Sequence, residues 1–312
     1  MFWQRRRYRD EKHLAAALAN CRGKINKELR RELCLRDAQD LAVLLNRLWS
    51  HMEKTTRAEL VAICEQEGFI EAWLRTLKQG KTGEKVTAAT VLGEMEVKRA
   101  LAPLLAAMGD RDEGVQMAAT AGLIRLRDRR CLEPLLTALT EPRRWPPARV
   151  AEVLVALGKD SIPPLLDLLE RGPEEVTIRV INILGSFKDE QVVAALERCL
   201  EDESAAVRRE AAVALGETGS HQGVESLKRA LADAAGEVRA AAARALGKLK
   251  CPEARDLLED CLKDDIWEVR AAAGAAITEL AAAGDEGEMG GEPGDGSAGW
   301  RYCPDQKKTP LR

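Results

Sequence analysis

The chain has 312 residues, enough to bury an extended hydrophobic core, and its 46% apolar and 32% charged content is typical of a folded protein. Aromatic residues make up only 4%, which argues against β-sandwiches and barrels. Long stretches rich in Ala, Leu, Glu, Arg and Lys favour helices instead. We therefore predict an all-α protein.

Charge is distributed unevenly along the chain, although the formal net charge is only −3. Residues 1–36 contain eleven Lys and Arg against four Asp and Glu, whereas residues 101–280 contain twenty-four against thirty-one. This asymmetry predicts that only residues 1–36 contact an anionic partner, such as a membrane surface. The net negative charge of the remainder argues against nucleic acid as a partner.

The sequence carries no pattern for translocation or membrane insertion. No window of about 18 apolar residues is present, and no apolar stretch precedes a small-residue cleavage site. The eight cysteines show neither a C-x-x-C pair nor the Cys and His spacing of a zinc site. We predict reduced thiols in a cytoplasmic protein, with peripheral attachment at the inner face of the membrane as the alternative.

The first element along the chain is a basic N-terminal segment, residues 1–24. The residues from Phe2 to Arg9 combine aromatic and basic side chains, a composition that is typical of a cytoplasmic juxtamembrane edge. The alternative is a frayed, solvated terminus.

A divergent helical cap is predicted next, over residues 25–81. Residues 25–53 are predicted as one long helix because their leucines recur near helical spacing. Two shorter helices follow and end at Gly68 and Gly80. Terminal units of a repeat array are often degenerate in this way, since one of their sides faces solvent.

Residues 82–283 contain an internal repeat. Three segments align without gaps at a period of 31 residues: VRREAAVALG from Val207, VRAAAARALG from Val238 and VRAAAGAAIT from Val269. Tracing the motif back to Leu92 gives spacings of 31, 34, 27, 31, 31 and 31. Each unit reads as a first helix with this pattern and a leucine-rich second helix, whose apolar faces are buried only by stacking on the next unit. We predict about seven helix pairs in a right-handed α-α superhelix.

Acidic and basic residues also recur at fixed positions in three successive units. An aspartate precedes an arginine by six residues in the pairs Asp202 and Arg208, Asp233 and Arg239, and Asp264 and Arg270. The acid can cap free backbone amides, and the arginine can bridge to a carboxylate of its own or the adjoining unit. We predict a structural ladder that holds the units in register, with an anion-binding row as the alternative.

The array is interrupted by TEPRRWPPAR at residues 140–149, which carries the insertion. Arg143, Arg144 and Trp145 are predicted to project from the rim as a partner-binding site, with Trp267 as a second anchor. Exposed Arg and Trp are frequent anchors of protein interfaces. The alternative is that both tryptophans cover helix ends.

The last segment, residues 284–312, is predicted to be a disordered tail. Seven of the sixteen residues from Gly284 to Gly299 are glycine, and acidic residues are interspersed among them. Beyond them, Trp300, Tyr302 and Cys303 form a candidate short linear motif.

The pattern D-x-x-x-x-V-R-x-x-A-A-x-A-L-G, from Asp202 to Gly216 and again from Asp233 to Gly247, resembles the HEAT-like repeats first named for phycobilisome lyases. The resemblance covers about residues 82–280 and is most specific in the last three units. Gln116 and Thr177 depart from it, since each stands where the pattern has arginine.

This resemblance implies a curved, armadillo-type α-solenoid, found in bacterial proteins that mediate protein–protein interactions. The cap resembles the block that follows a membrane-spanning helix in some bacterial HEAT proteins. That helix is not in this sequence, and the genomic DNA upstream of Met1 would show whether one precedes it.

The sequence offers no constellation for catalysis. His13, His51 and His221 fall in no H-E or H-x-x-x-H spacing, which excludes the iron- or zinc-dependent HEAT enzymes that work through His-Glu motifs. No G-x-S-x-G, Walker or G-x-G-x-x-G motif is present. Cys199 and Cys261 occupy the same position two periods apart, which favours packing over nucleophilic chemistry.

We therefore predict a non-enzymatic scaffold or adaptor with no catalytic residue, cofactor or metal site, which binds an unidentified protein partner. Three alternatives come from other classes. The first is a docking arm held at a membrane surface by residues 1–36. The others, implied by the resemblance, are an accessory enzyme of the bilin-lyase type and a DNA-binding HEAT protein.

Overall fold

The computed structural model describes residues 13–14, 16–18, 20–21, 23–141 and 145–288. Within these ranges, every regular element is an α-helix or a short 3-10 turn, and no strand is present. The all-α prediction is therefore confirmed.

Within residues 23–81 of the described chain, four α-helices precede the repeat array. They are α1 (Lys27–Cys34), α2 (Ala38–Leu48), α3 (Lys54–Gln66) and α4 (Phe69–Gln79). The side chain of Trp73 in α4 is fully buried, and its Nε1 donates a hydrogen bond of 2.7 Å to the carbonyl of Ala38 at the start of α2. The helices of the cap are thus tied to one another around a common core.

The array consists of two rows of helices that alternate along the chain. The first helices of the units are α5 (Thr82–Glu94), α7 (Glu113–Leu126), α9 (Pro147–Leu157), α11 (Glu174–Leu184), α13 (Ala205–Thr218), α15 (Gly236–Lys248) and α17 (Trp267–Glu288). The second helices are α6 (Leu101–Ala107), α8 (Leu132–Thr140), α10 (Ile162–Arg171), α12 (Glu190–Cys199), α14 (Val224–Ala230) and α16 (Arg255–Cys261). The first helices begin at residues 82, 113, 147, 174, 205, 236 and 267, which reproduces the predicted succession of spacings.

Neighbouring first helices approach to backbone contact through small residues. A Cβ on Gly216 would lie 2.9 Å from the Cα of Ala245 in the next first helix, and one on Gly93 would lie 2.5 Å from the Cα of Gly122. Such positions accept only glycine without a shift of the backbone. The second helices of neighbouring units pack less closely against one another than the first helices do. Because the more closely spaced row of a curved stack lies on its inner side, we infer that the first helices line the concave side.

The predicted single helix over residues 25–53 is wrong. The chain leaves α1 at Leu35 and begins α2 at Ala38, and a 3-10 turn at Trp49–His51 follows α2. Asp37 caps the new helix, since its carboxylate accepts hydrogen bonds from the amides of Gln39 and Asp40 at 2.7 and 3.0 Å. An aspartate that satisfies free amides in this way starts a helix, whereas leucine spacing alone does not show the break.

The packed structure also begins before the predicted cap boundary at residue 25. Leu14 and Leu18 are fully buried and belong to the same core as Leu29 and Leu33 of α1. The predicted basic segment 1–24 therefore contributes to the core, while its residues 1–12 lie outside the described residues.

Among the described residues, the array comprises six helix pairs and the first helix of a seventh unit. One period after α16, a seventh second helix would occupy residues 286–292, but α17 continues through Glu288. The helix thus passes the predicted start of the tail at residue 284. The rest of that predicted tail, residues 289–312, lies outside the described part of the chain.

Candidate functional site

The concave wall is the exposed stripe of the first helices, and it presents two columns of equivalent positions. The first column has apolar or small side chains in most units: Thr90, Ala121, Val155, Asn182, Val213, Arg244 and Ala275. The second column lies one helical turn further along and is mostly charged: Glu94, Arg125, Ser186, Glu217, Lys248 and Glu279. All of these residues are at least partly exposed.

The charged column alternates in sign and forms ion pairs between successive units. Arg125 lies 2.8 Å from Glu94, and Lys248 lies 2.5 Å from Glu217. Lys248 and Glu217 are both about half exposed, so their pair adds only about 0–1 kcal/mol to stability. In the other pair Arg125 is about half exposed, whereas Glu94 is mostly buried. Their arrangement matters more for recognition, because it gives the wall a regular pattern of charge.

A groove of about 470 Å³ runs over α13, α15 and α17. Its floor consists of small, buried residues: Gly216, Ala241, Ala245, Ala272 and Ala276. Its sides are Glu217, Arg244, Lys248 and Glu279. The absence of side-chain bulk on the floor follows from the close packing of the helices, since the residues at each crossing must be small.

A second concavity of about 240 Å³ lies between α9 and α11, where the spacing is irregular. Gly158, which follows α9, has a positive φ of 68°, and a Cβ there would meet no atom within 4 Å, whereas Gly216 lies at a helix crossing. Arg179 of α11 lines the cleft and donates a hydrogen bond of 3.0 Å to the carbonyl of Leu139. The insertion therefore opens the wall between two first helices.

The predicted ladder residues are brought together as links between adjoining units. Both Arg208 and Arg239 make two hydrogen bonds to the aspartate of the following unit: Arg208 to Asp233 at 2.8 and 3.0 Å, and Arg239 to Asp264 at 2.7 and 2.9 Å. In its own unit, each arginine donates instead to backbone carbonyls, as Arg270 also does. The bridge therefore goes to the adjoining unit and not to the preceding aspartate's carboxylate.

Each ladder aspartate also accepts a hydrogen bond from the backbone just before the next first helix. Asp202 binds the amide of Ser204 at 2.8 Å, and Asp233 binds that of Ala235 at 2.8 Å. The first array unit has a similar link, in which Lys85 lies 2.7 Å from Asp110. In the second unit, Gln116 of α7 stands in the arginine position and donates a hydrogen bond to the carbonyl of Asp110.

The ladder makes the stability of the array depend on pH. Hydrogen bonds from Arg208 and Arg239 lower the pKa values of Asp233 and Asp264 below the ordinary range. A carboxyl group whose pKa is lowered by folding contributes stability that is present above its unfolded pKa of about 4. That contribution is lost as the pH falls through the lowered pKa of the folded state.

We expect Arg239→Ala to lower the free energy of unfolding by about 1–1.5 kcal/mol at pH 7, because it removes a half-buried, doubly hydrogen-bonded pair. In the native chain, the side chains of Arg239 and Asp264 are only 17% and 13% exposed. The matched control is Arg255→Ala, whose pair with Glu259 is about half exposed and should cost close to zero.

Urea unfolding of both variants at several pH values is the measurement. The deficit of Arg239→Ala should shrink as the pH falls below about 4, as Asp264 becomes protonated. Equal losses in the two variants, or a deficit that does not change in acid, would show that the ladder does not stabilise the array.

The predicted rim site is not assembled as expected. Trp145 does not project, because its side chain is only 3% exposed and belongs to the core. It directly precedes Pro146 and Pro147, which start α9 as the N-cap and first residue, and an indole there is buried by the helices that the insertion joins. Arg143 and Arg144 lie outside the described residues. Trp267, at the start of α17, is 64% exposed.

Four of the cysteines in the described part are held in the packed interior, and burial changes the acidity of their thiols. Burial raises the pKa of Cys64 to about 12 and those of Cys131 and Cys199 to about 11. Burial also raises the pKa of Cys261. These thiols are protonated at neutral pH and therefore weak nucleophiles, which agrees with the packing interpretation of Cys199 and Cys261.

The predicted membrane-binding segment is described only in part. Residues 1–12 lie outside the described residues, and Arg30, within residues 13–36, is paired with Glu67 at 2.7 Å. In the part of the chain that the structure describes, no helix is both long enough and apolar enough to span a bilayer. The same part holds no cluster of three or more potential metal ligands.

Sequence reasoning missed the two columns of the concave wall. The signal is present in the sequence, since Glu217, Lys248 and Glu279 recur at the period of 31 residues. These three residues can be recognised as part of the wall only when it is known which face of the first helices is exposed. The repeat pattern alone does not show that face, because alanine occurs both at the helix crossings and on the open stripe.

Comparisons with known proteins place the chain within a repeat family. The family described as HEAT repeats matches residues 70–156, 162–235 and 225–287, which together are most of the chain. A search of curated proteins found no match.

A comparison with solved structures gave matches of low sequence identity, three of which follow. Human deoxyhypusine hydroxylase in complex with glycerol is 18% identical, with 88% of this chain and 96% of that chain covered and a TM-score of 0.36. The CpcE and CpcF complex of phycocyanin lyase from Nostoc sp. is 19% identical, with coverages of 84% and 96% and a TM-score of 0.34. A designed armadillo repeat protein is 19% identical, with coverages of 68% and 99% and a TM-score of 0.32.

The family match and the fold agree on the repeat. The residues matched by the family cover all seven first helices to within one residue and extend back into the cap. The chain therefore belongs to the HEAT-repeat family.

Proposed function

We propose that this protein is a non-enzymatic scaffold that holds a segment of a protein partner in the groove over α13, α15 and α17. The groove itself is the observation that carries the proposal. It is open, its floor is apolar, and charged side chains of both signs border it. A peptide segment buries apolar side chains on such a floor while its polar groups meet the sides.

The shape of the floor supports a polypeptide as the occupant. Because Ala241, Ala245 and Ala272 have minimal side chains, a partner backbone can approach the helices closely. Arg244 and Lys248 lie in neighbouring positions of the two columns, with Glu217 and Glu279 beside them. This pattern favours a partner segment that carries both acidic and basic residues, and it gives selectivity through charge rather than through deep pockets.

Site-specific photo-crosslinking tests the proposal. The crosslinking amino acid p-benzoylphenylalanine is placed at Ala275, an exposed residue of the groove, or at Ala106, an exposed control residue on second helix α6. In cells that produce the protein, we expect a discrete protein adduct from Ala275 and none of that mass from Ala106. Adding Arg244→Glu and Lys248→Glu should reduce this adduct at least about tenfold, through charge repulsion.

The control variant for the charge change is Arg229→Glu on α14, an exposed residue of the second-helix row. It should leave the adduct unchanged. The same adduct from both crosslinker positions, or an adduct that survives the two groove substitutions, would contradict the groove as the binding site.

A further inference from the structure

The last unit of the array carries an exposed apolar surface. Seven large apolar side chains are exposed among the described residues, and four of them lie here. Leu257, Leu262, Ile266 and Trp267 are 42%, 42%, 38% and 64% exposed. We call these four residues the terminal patch.

The exposure of the terminal patch is a consequence of its position in the array. Leu231, which corresponds to Leu262 one period earlier, is only 7% exposed because another unit follows it. No described helix follows α17 to cover Leu262 in the same way. A solenoid end of this kind normally needs a polar cap.

Acidic residues surround the terminal patch. Residues 255–268 contain Arg255 and Lys263 against six acids, a net charge of −4. The acids are Asp256, Glu259, Asp260, Asp264, Asp265 and Glu268. A ligand for this surface must therefore combine apolar side chains with positive charge.

The C-terminal segment of the chain has this composition. Residues 300–312 read WRYCPDQKKTPLR and contain four basic side chains against one acidic side chain, Asp305. Trp300, Tyr302 and Leu311 supply apolar surface among these charges. The segment therefore matches the terminal patch both in polarity and in the sign of its charge.

The intervening chain is long enough for this contact. The 22 residues of α17 span about 33 Å, with Trp267 at the beginning of the helix and Glu288 at its end. Residues 289–299, rich in glycine, reach up to about 36 Å when extended. Trp300 can thus return along the whole helix to the terminal patch.

We propose that residues 300–312 fold back onto the terminal patch and cap the array. Because residues 289–299 tether this segment to the array, the contact does not depend on the concentration of the protein. A symmetric contact between the terminal patches of two copies would bring two surfaces of net charge −4 together. The intrachain contact is independent of the groove and of the proposed function.

Trypsin cleavage of the full chain tests the contact, since Lys307 and Lys308 are substrates only while the segment is released. We compare the native sequence with Trp300→Ala and with Trp267→Ala combined with Leu262→Ser. Each variant loses apolar contact, so cleavage after Lys307 and Lys308 should become about three- to tenfold faster. Trp300→Ala changes a residue outside the array and cannot act by unfolding it.

The matched control is Met117→Ser, which removes another exposed apolar side chain, 52% exposed, from α7. Its cleavage rate should equal that of the native sequence. Carbodiimide crosslinking of mixed nitrogen-14 and nitrogen-15 protein should join Lys307 or Lys308 to acids of residues 256–268 within one chain. Equal cleavage rates in all variants, or crosslinks that join heavy and light chains, would overturn the proposal.

Discussion

Replacing Trp145 by alanine should lower the free energy of unfolding by about 3–5 kcal/mol. The indole is 3% exposed and lies within the core at the junction between the second and third array units. Truncation leaves a large cavity, and Pro146 and Pro147 limit the collapse of the chain into it because their backbone is rigid. An aromatic core residue of this size is among the most costly to remove.

Trp267→Ala is the matched control for this substitution. Its indole is 64% exposed, so the same chemical change should alter the free energy of unfolding by less than about 1 kcal/mol. Urea unfolding monitored by far-ultraviolet circular dichroism measures both variants. Similar losses in the two variants would mean that Trp145 is not a core residue.

The repeat could be predicted from the sequence because the packing of the helices sets its period. Each first helix must present small residues at the same place to its neighbour, so alanines and glycines recur every 31 residues. The irregular spacings of 34 and 27 likewise mark the place where α9 and α11 separate. The spacing between successive first helices could therefore be read from the sequence across the array.

The break between α1 and α2 could not be read from leucine spacing. It depends on Asp37, whose side chain competes for backbone amides that a continuous helix would have used. Periodicity reports which face is apolar and is not sensitive to one capping residue. In the sequence, the segment RDAQD at residues 36–40 was the signal for a new helix start.

The candidate site was less predictable than the fold. The bridging function of Arg208 and Arg239 followed from their spacing, but the choice of the adjoining unit required the geometry of the stack. Trp145 was misplaced because a Trp beside Arg in an insertion reads equally well as an exposed anchor or a core residue. The groove residues, such as Arg244 and Lys248, became recognisable only once the exposed face of the first helices was known.

Neighbouring first helices touch at their backbones and in this way form the concave wall. Gly93 and Gly83 test this contact within one helix, α5. A Cβ on Gly93 would lie 2.5 Å from the Cα of Gly122 in α7, whereas a Cβ on Gly83 meets no atom within 4 Å. The same substitution should therefore have opposite effects at the two positions.

The most direct measurement is urea unfolding of Gly93→Ala and Gly83→Ala side by side. We expect Gly93→Ala to lose about 2–3 kcal/mol, because the backbone of Gly122 must move and the gain in helix propensity does not offset this. Gly83→Ala should be neutral or gain up to about 1 kcal/mol. If Gly93→Ala were as stable as Gly83→Ala, the first helices would not be in backbone contact, and the stacked wall described above would be wrong.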